Sequence, residues 1–157
     1  MSIRTTVNKT NRTVAYLALG ANLGDRADNL RHACDLLSRT DAIEITQKSA
    51  IYESESVEDG GEGDFLNAVI RIETSLEPLQ LLGAIQSIET QLGRKQPHGP
   101  GARPIDIDIL LFGSIALETP ELTIPHPRML YRQFVLRPLC DVLTGGWVHP
   151  TAERWNT

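Results

Sequence analysis

The sequence predicts an α+β fold in which an antiparallel sheet carries helices on one face and leaves the other face for loops and ligand. Segments of strand and helix periodicity follow one another in the order strand, helix, strand, strand, helix, strand. Connections with Gly, Pro, Asn, Asp and Ser separate them. This βαββαβ order is typical of the ferredoxin-like sandwich, which is built from split βαβ units.

The first strand and first helix are the most regular part of the pattern. Thr13–Leu19 is almost continuously apolar, which favours a central strand buried on both faces. A glycine-containing turn follows, and Asp25 is a good N-cap for a helix that runs to about Ser38. The apolar stripe of that helix consists of Leu30, Ala33, Cys34 and Leu37.

Two further strands flank an acidic loop. Ile43–Tyr52 is predicted as the second strand, Ser54–Asp64 as a long acidic loop, and Phe65–Glu73 as the third strand. Asn67 shares a strand face with Phe65. A polar amide among apolar neighbours needs a hydrogen-bond partner, which either the backbone or a ligand can supply.

The second helix is predicted from a Ser75 N-cap to Gly93, with Pro78 tolerated in its first turn. Its apolar stripe consists of Leu81, Leu82, Ile85, Ile88 and Leu92. The loop that follows, Gly93–Pro104, contains three basic residues and no acid. Guanidinium groups suit phosphate oxygens, so this loop is a candidate phosphate contact.

The stretch Arg103–Phe112 alternates isoleucine and aspartate and predicts a strand. Asp106 and Asp108 share one face, with Cα atoms about 7 Å apart. Charged residues on an edge strand discourage aggregation, which is one interpretation of the pair. A basic loop that leads into two carboxylates also fits a clamp for a metal–polyphosphate complex, because hard cations prefer oxygen ligands.

The remaining segments are shorter. Two prolines in Leu122–Pro127 hold His126 in a stiff, extended segment, where it is either a ligand contact or a structural histidine. Met129–Leu139 is predicted as a short helix limited by Pro138, and residues 145–150 as a turn and a final strand.

Length and composition favour one domain. The chain has 157 residues, and we predict a single domain over 13–150 with a disordered N-terminal tail at 1–12 and a C-terminal tail at 151–157. The net charge of −5 gives no general attraction to nucleic acid or anionic lipid. No apolar run approaches the length of a membrane span. Cys34 and Cys140 are predicted to be reduced core residues of a cytoplasmic protein.

The chain resembles the 6-hydroxymethyl-7,8-dihydropterin pyrophosphokinase family of folate biosynthesis from about Val14 to Pro150. Five stretches in the family's order carry the resemblance: Leu19-Gly20-Ala21-Asn22-Leu23-Gly24-Asp25, Phe65-Leu66-Asn67-Ala68, Ile88-Glu89 with Gly93-Arg94, Arg103-Pro104-Ile105-Asp106-Ile107-Asp108-Ile109-Leu110, and Leu122-Thr123-Ile124-Pro125-His126-Pro127.

The resemblance implies an ATP-dependent diphosphotransferase. ATP would give its terminal pyrophosphate to the pterin's hydroxymethyl oxygen, and AMP would leave. Asp106 and Asp108 would hold two Mg²⁺ ions, and Arg94 and Arg103 would contact the phosphates, which completes the catalytic set. Nucleotide-binding positions would be Gln86, Glu89, Arg94, Arg103, Ile109, Thr123, His126 and Arg132. Pterin-binding positions would be Asn22, Ser54, Phe65, Asn67, Asp106 and Phe134.

Three departures from the family pattern bear on loop closure and ATP affinity. The usual tryptophan before the aspartates is missing from a shortened loop around His98–Ala102, Glu121 replaces a basic residue, and Pro127 replaces a tyrosine. A non-catalytic ATP- or pterin-binding paralogue is therefore one alternative. An RNA-binding module of the same fold is another, although the acidic central strand disfavours it. We expect a cytoplasmic monomer without nucleic-acid or membrane partners.

Overall fold

The computed structural model describes residues 11–54, 64–93, 104–129 and 133–143. The strands and helices in chain order are β1 (Thr13–Ala21), α1 (Arg26–Ser38), β2 (Ile43–Lys48), β3 (Tyr52–Ser54), β4 (Phe65–Thr74), α2 (Pro78–Gln91), β5 (Asp106–Phe112), β6 (Leu117–Glu118), β7 (Thr123–Ile124) and α3 (Gln133–Leu143). None of the helices in these ranges has both the length and the apolarity needed to cross a bilayer.

The main sheet has the predicted ferredoxin-like arrangement. Its order is β2-β4-β1-β5, with β3 paired to β4, and all neighbouring strands are antiparallel. The two central strands, β1 and β4, are the most continuously apolar, as expected for strands covered on both faces. β1 extends two residues beyond its predicted end, so Gly20 and Ala21 belong to the strand.

The first face of the sheet packs against α1 and α2. Alternate residues of β1, including Leu17 and Leu19, are buried there with the apolar stripes of both helices. Asp25 caps α1 as predicted, because its Oδ1 accepts a hydrogen bond of 3.1 Å from the N–H of Asp28. Cys34 is buried in the same core, and burial raises the pKa of its thiol to about 11.

Helix α2 begins later than predicted. Pro78 is its first residue and Glu77 its N-cap, and the N–H of Glu77 donates to Oε1 of Gln80 at 2.8 Å. Ser75 therefore lies outside the helix. The helix ends as predicted before Gly93, whose φ of 100° favours glycine.

Helix α3, which the strand order does not place, packs on the second face of the sheet. Its described part runs from Gln133 through Pro138 to Leu143, so the helix extends past the predicted end at Leu139. Its core side chains are Val135, Leu139 and Val142, and they pack with Val69 and Leu110 of the sheet. A proline inside a helix costs ~3 kcal/mol, whereas each buried aliphatic side chain contributes about 1.5–3 kcal/mol, so packing outweighs the lost hydrogen bond.

The prediction that Cys140 is a core residue is wrong. Cys140 is exposed, whereas its neighbours Leu139 and Asp141 are buried. Successive residues of a helix are turned by about 100°, so a strongly apolar segment still presents one side to solvent.

The predicted strand Ile43–Tyr52 is interrupted at Ser49. The N–H of Ser49 donates to the carbonyl of Val69 at 2.8 Å, and its hydroxyl accepts from the N–H of Val69 at 2.8 Å. A side-chain oxygen thus takes the place of a backbone carbonyl in this ladder, and the strand divides into β2 and β3.

β5 is an edge strand of the main sheet, and the segment after the β6–β7 hairpin lies beside it. The N–H of His126 donates to the carbonyl of Leu110 at 3.0 Å. The predicted final strand, residues 1–10 of the predicted N-terminal tail and the whole predicted C-terminal tail lie outside the described residues, so the 13–150 domain boundary stays a prediction.

Candidate active site

Four residues form a row across one end of the main sheet. Asp106 pairs with Gly20, Gly20 pairs with Asn67, and Asn67 pairs with Tyr52. Directly paired residues of an antiparallel sheet project to the same face. The row spans four strands, and the Cα atoms of Asp106 and Asn67 lie about 10 Å apart, two strand spacings.

The two aspartates lie on the second face, as the alternation predicts. Asp106 and Asp108 are half-buried, whereas Ile107 and Ile109 are buried in the first core. The β1 partners of the aspartates are Gly20 and Ala18. Small partners leave space above the neighbouring strand, and two carboxylates offer the hard oxygen donors that Mg²⁺ prefers. The residues present therefore fit a divalent cation.

Gly20 forms the floor between the aspartates and the polar residues of β4. A Cβ at this position would lie 3.4 Å from Oδ1 of Asn67 and 3.5 Å from Cδ1 of Phe65. Both distances are close to van der Waals contact, so any larger side chain would fill the space that glycine leaves. The absence of a side chain gives a flat ligand access to the sheet surface here.

Asn67 has the partner that its buried position requires. It is 6% exposed, and its Nδ2 donates to Oγ of Ser54 at 2.7 Å and to the carbonyl of Tyr52 at 3.4 Å. Both hydrogen bonds use the nitrogen end of the amide. Oδ1 faces the space above Gly20, where it can accept from a ligand N–H.

Glu89 supports the aspartate strand from the side. It is 5% exposed on α2, and its Oε2 accepts a hydrogen bond of 2.8 Å from the N–H of Ile107, between the two aspartates. Burial of a carboxylate is unfavourable without such partners. Glu89 therefore satisfies an outward N–H of β5, which is an edge strand of the main sheet in the described part of the chain.

The other predicted nucleotide positions surround β5. The Ile109 side chain is 3% exposed and lies in the first core, so any ligand contact would come from its backbone. Gln86 is exposed on α2, and Thr123 is half-buried on β7. His126 is half-buried, and its Nδ1 accepts a hydrogen bond from the N–H of Arg128 at 3.2 Å.

The remaining predicted site residues are two predicted pterin-binding positions and three arginines. Phe134 is half-buried on α3 and packs on the second core, and Asn22 is 7% exposed just after β1. The predicted residues that lie outside the described ranges are Arg94, Arg103 and Arg132. The departures at Glu121 and Pro127 are exposed positions.

Two residues that sequence analysis missed lie beside this site. Asp141 is 1% exposed on α3, and the hydroxyl of Tyr52 donates to both of its carboxylate oxygens, at 3.1 and 3.0 Å. An acid inside the apolar run Leu139–Leu143 was a signal that a partner was needed. The sequence offered no means of identifying Tyr52 as that partner.

The chain matches a family model and bacterial relatives over most of its length. The model described as 7,8-dihydro-6-hydroxymethylpterin-pyrophosphokinase (HPPK) matches residues 16–144. A 2-amino-4-hydroxy-6-hydroxymethyldihydropteridine pyrophosphokinase of Bacillus subtilis is 46% identical over 129 residues, which cover 82% of this chain and 77% of the relative. A Porphyromonas gingivalis protein of the same name is 42% identical, with 91% and 98% covered.

Longer proteins also contain a matching segment. The mitochondrial folate synthesis bifunctional protein of Arabidopsis thaliana is 39% identical over 90% of this chain, which spans only 25% of that protein. A solved HPPK-DHPS structure in complex with substrates superposes with a TM-score of 0.64 at 18% identity, covering 92% of this chain and 42% of that chain. This structural likeness supports the fold. With the family match over residues 16–144, the comparisons establish that the chain belongs to the 7,8-dihydro-6-hydroxymethylpterin-pyrophosphokinase family.

Proposed function

We propose that this chain transfers the terminal diphosphate of ATP to the hydroxymethyl oxygen of 6-hydroxymethyl-7,8-dihydropterin in folate biosynthesis. The names of the bacterial relatives support the reaction. The structural observation that carries the proposal is the register of β5, β1 and β4. It brings an aspartate pair and a buried amide to one face, on either side of a glycine.

The two sides of the row suit the two substrates. The pterin ring carries N–H groups on its pyrimidine edge, and Oδ1 of Asn67 is an acceptor that faces the space above Gly20. The rings of Phe65 and Phe134, both half-buried, are available for contact with the flat faces of the pterin. On the other side, Asp106 and Asp108 would hold two Mg²⁺ ions with the triphosphate.

Diphosphate transfer requires positioning and charge neutralisation more than covalent catalysis. The hydroxymethyl oxygen forms a bond to the β-phosphorus, the bond from that phosphorus to the α–β bridging oxygen breaks, and AMP leaves with that oxygen. Bound Mg²⁺ would neutralise phosphate charge and polarise the phosphoryl oxygens. Arg94 and Arg103 are proposed to donate to the same phosphates, as the family resemblance implies. The hydroxyl proton passes to solvent, and we assign no dedicated base.

The decisive experiment is product identification. Purified protein with ATP, Mg²⁺ and the hydroxymethyl dihydropterin should release AMP and the pterin diphosphate in equal amounts, as separated by anion-exchange chromatography. A parallel reaction without pterin should release no AMP. ADP as the only nucleotide product would refute diphosphate transfer. Binding of either substrate without turnover would instead support a non-catalytic paralogue.

We also propose that the protein is a cytoplasmic monomer. Cell fractionation tests the compartment, and light scattering tests the oligomeric state.

A further inference from the structure

A buried carboxylate connects α3 to the strand beside Asn67. Asp141 accepts two contacts from the Tyr52 hydroxyl, and its Oδ2 also accepts from the N–H of Ala50 at 3.1 Å. Asp141 is 1% exposed and its neighbours on α3 include Leu139 and Val142, which lie in the second core. Burying an aspartate is less favourable for stability than burying an apolar residue of similar size. The stability of the core therefore does not by itself account for Asp141.

The hydrogen bonds lead directly to the pterin side of the row. Tyr52 is the β3 partner of Asn67, and its carbonyl accepts from Nδ2 of that asparagine. Ser54, two residues along the same strand, accepts from the same nitrogen. The described part of β3 pairs with β4 through three residues, so the ladder seen there is short. The link from Tyr52 to Asp141 therefore fixes the strand that holds the Asn67 amide.

We propose that Asp141 is a positioning residue for pterin recognition. By holding Tyr52, it fixes β3, and β3 occupies the nitrogen end of the Asn67 amide so that Oδ1 is presented to the ring's N–H donors. This inference rests on the proposed function. The proposed nucleotide side lies on β5, which β1 separates from β4, whereas the hydrogen bonds of Asp141 reach Ala50 and Tyr52. The effect of Asp141 should therefore fall on pterin affinity rather than on ATP affinity.

Tyr52→Phe is the sharpest test, because it removes the hydroxyl and keeps the ring. Dissociation constants for the pterin and for Mg²⁺–ATP should be measured separately by calorimetry. We expect pterin affinity to fall by up to about tenfold, in line with the loss of one hydrogen bond. ATP affinity should stay within twofold. Asp141→Asn keeps one acceptor oxygen, so its pterin affinity should lie between that of wild type and that of Tyr52→Phe.

Val142→Ala is the matched control, since it creates a cavity in the same helix without touching the hydrogen bonds. It should lower thermal stability and leave pterin affinity unchanged. Unaltered pterin affinity in Tyr52→Phe, or an equal loss in Val142→Ala, would overturn the proposal. So would a parallel loss of ATP affinity.

A ligand-free readout separates this inference from the proposed function. The side-chain amide signals of Asn67 in ¹⁵N-labelled protein should shift or broaden in Tyr52→Phe and stay unchanged in Val142→Ala. If wild type released no AMP and bound no pterin, the proposed function would fail and the pterin role of Asp141 with it. The amide signals would still report whether Asp141 orients Asn67. Unchanged signals in Tyr52→Phe would refute that orientation directly.

Discussion

At the scale of single residues, the candidate site depends on two aspartates that share one face of β5. The alternation of isoleucine and aspartate correctly predicted that Asp106 and Asp108 share a face, because side-chain direction along a strand depends only on sequence parity. The pattern did not show that small residues, Gly20 and Ala18, lie opposite them. That pairing leaves the carboxylates half-buried but accessible to a cation, which a large β1 side chain would prevent.

We expect Asp106→Asn and Asp108→Asn each to lower kcat by about 10²- to 10³-fold, since each removes charge that would hold the metal–triphosphate complex. Each change keeps the size and shape of the side chain, so both variants should stay folded, with melting temperatures close to that of wild type. Steady-state AMP release and thermal unfolding measure the two effects.

Asp41→Asn makes the same chemical change at an exposed turn before β2, at the opposite end of the sheet, and serves as the control. Wild-type rates in either site variant would remove that aspartate from the proposed metal site.

At the scale of elements, the edge strand β5 depends on a helix. α2 supplies Glu89, which accepts the N–H of Ile107 between the two aspartates. The family resemblance implied a nucleotide role for Glu89, and the structure adds a structural one. The two roles make different predictions, because a hydrogen bond to the backbone stabilises the free protein whereas a nucleotide contact acts only in the complex.

Glu89→Ala should reduce the free energy of unfolding by about 1–3 kcal/mol, since it leaves a buried N–H without its acceptor. Glu89→Gln keeps an acceptor oxygen, so it should reduce the free energy of unfolding by less than Glu89→Ala does. Urea titration of the free protein gives the stability, and ATP affinity measured well below the melting temperature gives the ligand effect.

The control for Glu89 is Thr90→Ala, an exposed neighbour on α2, which should change stability by less than about 0.5 kcal/mol. Unchanged stability in Glu89→Ala would show that the hydrogen bond to Ile107 does not anchor β5. A loss of ATP affinity in Glu89→Gln at full stability would support the nucleotide role.

At the scale of the whole molecule, the candidate site lies on the second face of the main sheet, which α3 partly covers. α1 and α2 complete the first core, whereas α3 covers the second face around Val69 and Leu110. The row from Asp106 to Tyr52 lies at the end of the sheet where β1 finishes and β4 begins. Ligands that bind across this row contact several strands at once, so binding should stabilise the fold as a whole.

Mg²⁺–ATP at about 100 times its dissociation constant should stabilise the protein by about 2.7 kcal/mol. For a chain of this size, that corresponds to a rise in melting temperature of about 5–11 °C. The rise should disappear when EDTA replaces Mg²⁺. Differential scanning calorimetry with ATP, with Mg²⁺ and with both together separates the contributions.

Asp106→Asn should reduce the same calorimetric shift, whereas Asp41→Asn should preserve it. An equal shift in EDTA would show that ATP binds without a metal bridge, contrary to the proposed two-ion site.

The sequence by itself determined the order of the elements, the faces of the strands and the resemblance to a pyrophosphokinase family, because periodicity and short motifs are local. It misjudged features that depend on competition between distant groups. Ser49 interrupts a predicted strand by bonding to Val69, and apolar packing carries α3 through Pro138. The predicted arginines at 94, 103 and 132 and the loop departures at 98–102 lie outside the described residues and stay predictions.

Only the tertiary structure joined Asp141 to Tyr52 and Glu89 to Ile107. These partners are 89 and 18 residues apart, and neither pair follows a periodic pattern. A buried carboxylate in a sequence shows that a partner is needed, since burial without hydrogen bonds is unfavourable. Which group meets that need depends on how α2 and α3 pack against the sheet, and that packing is a property of the folded chain.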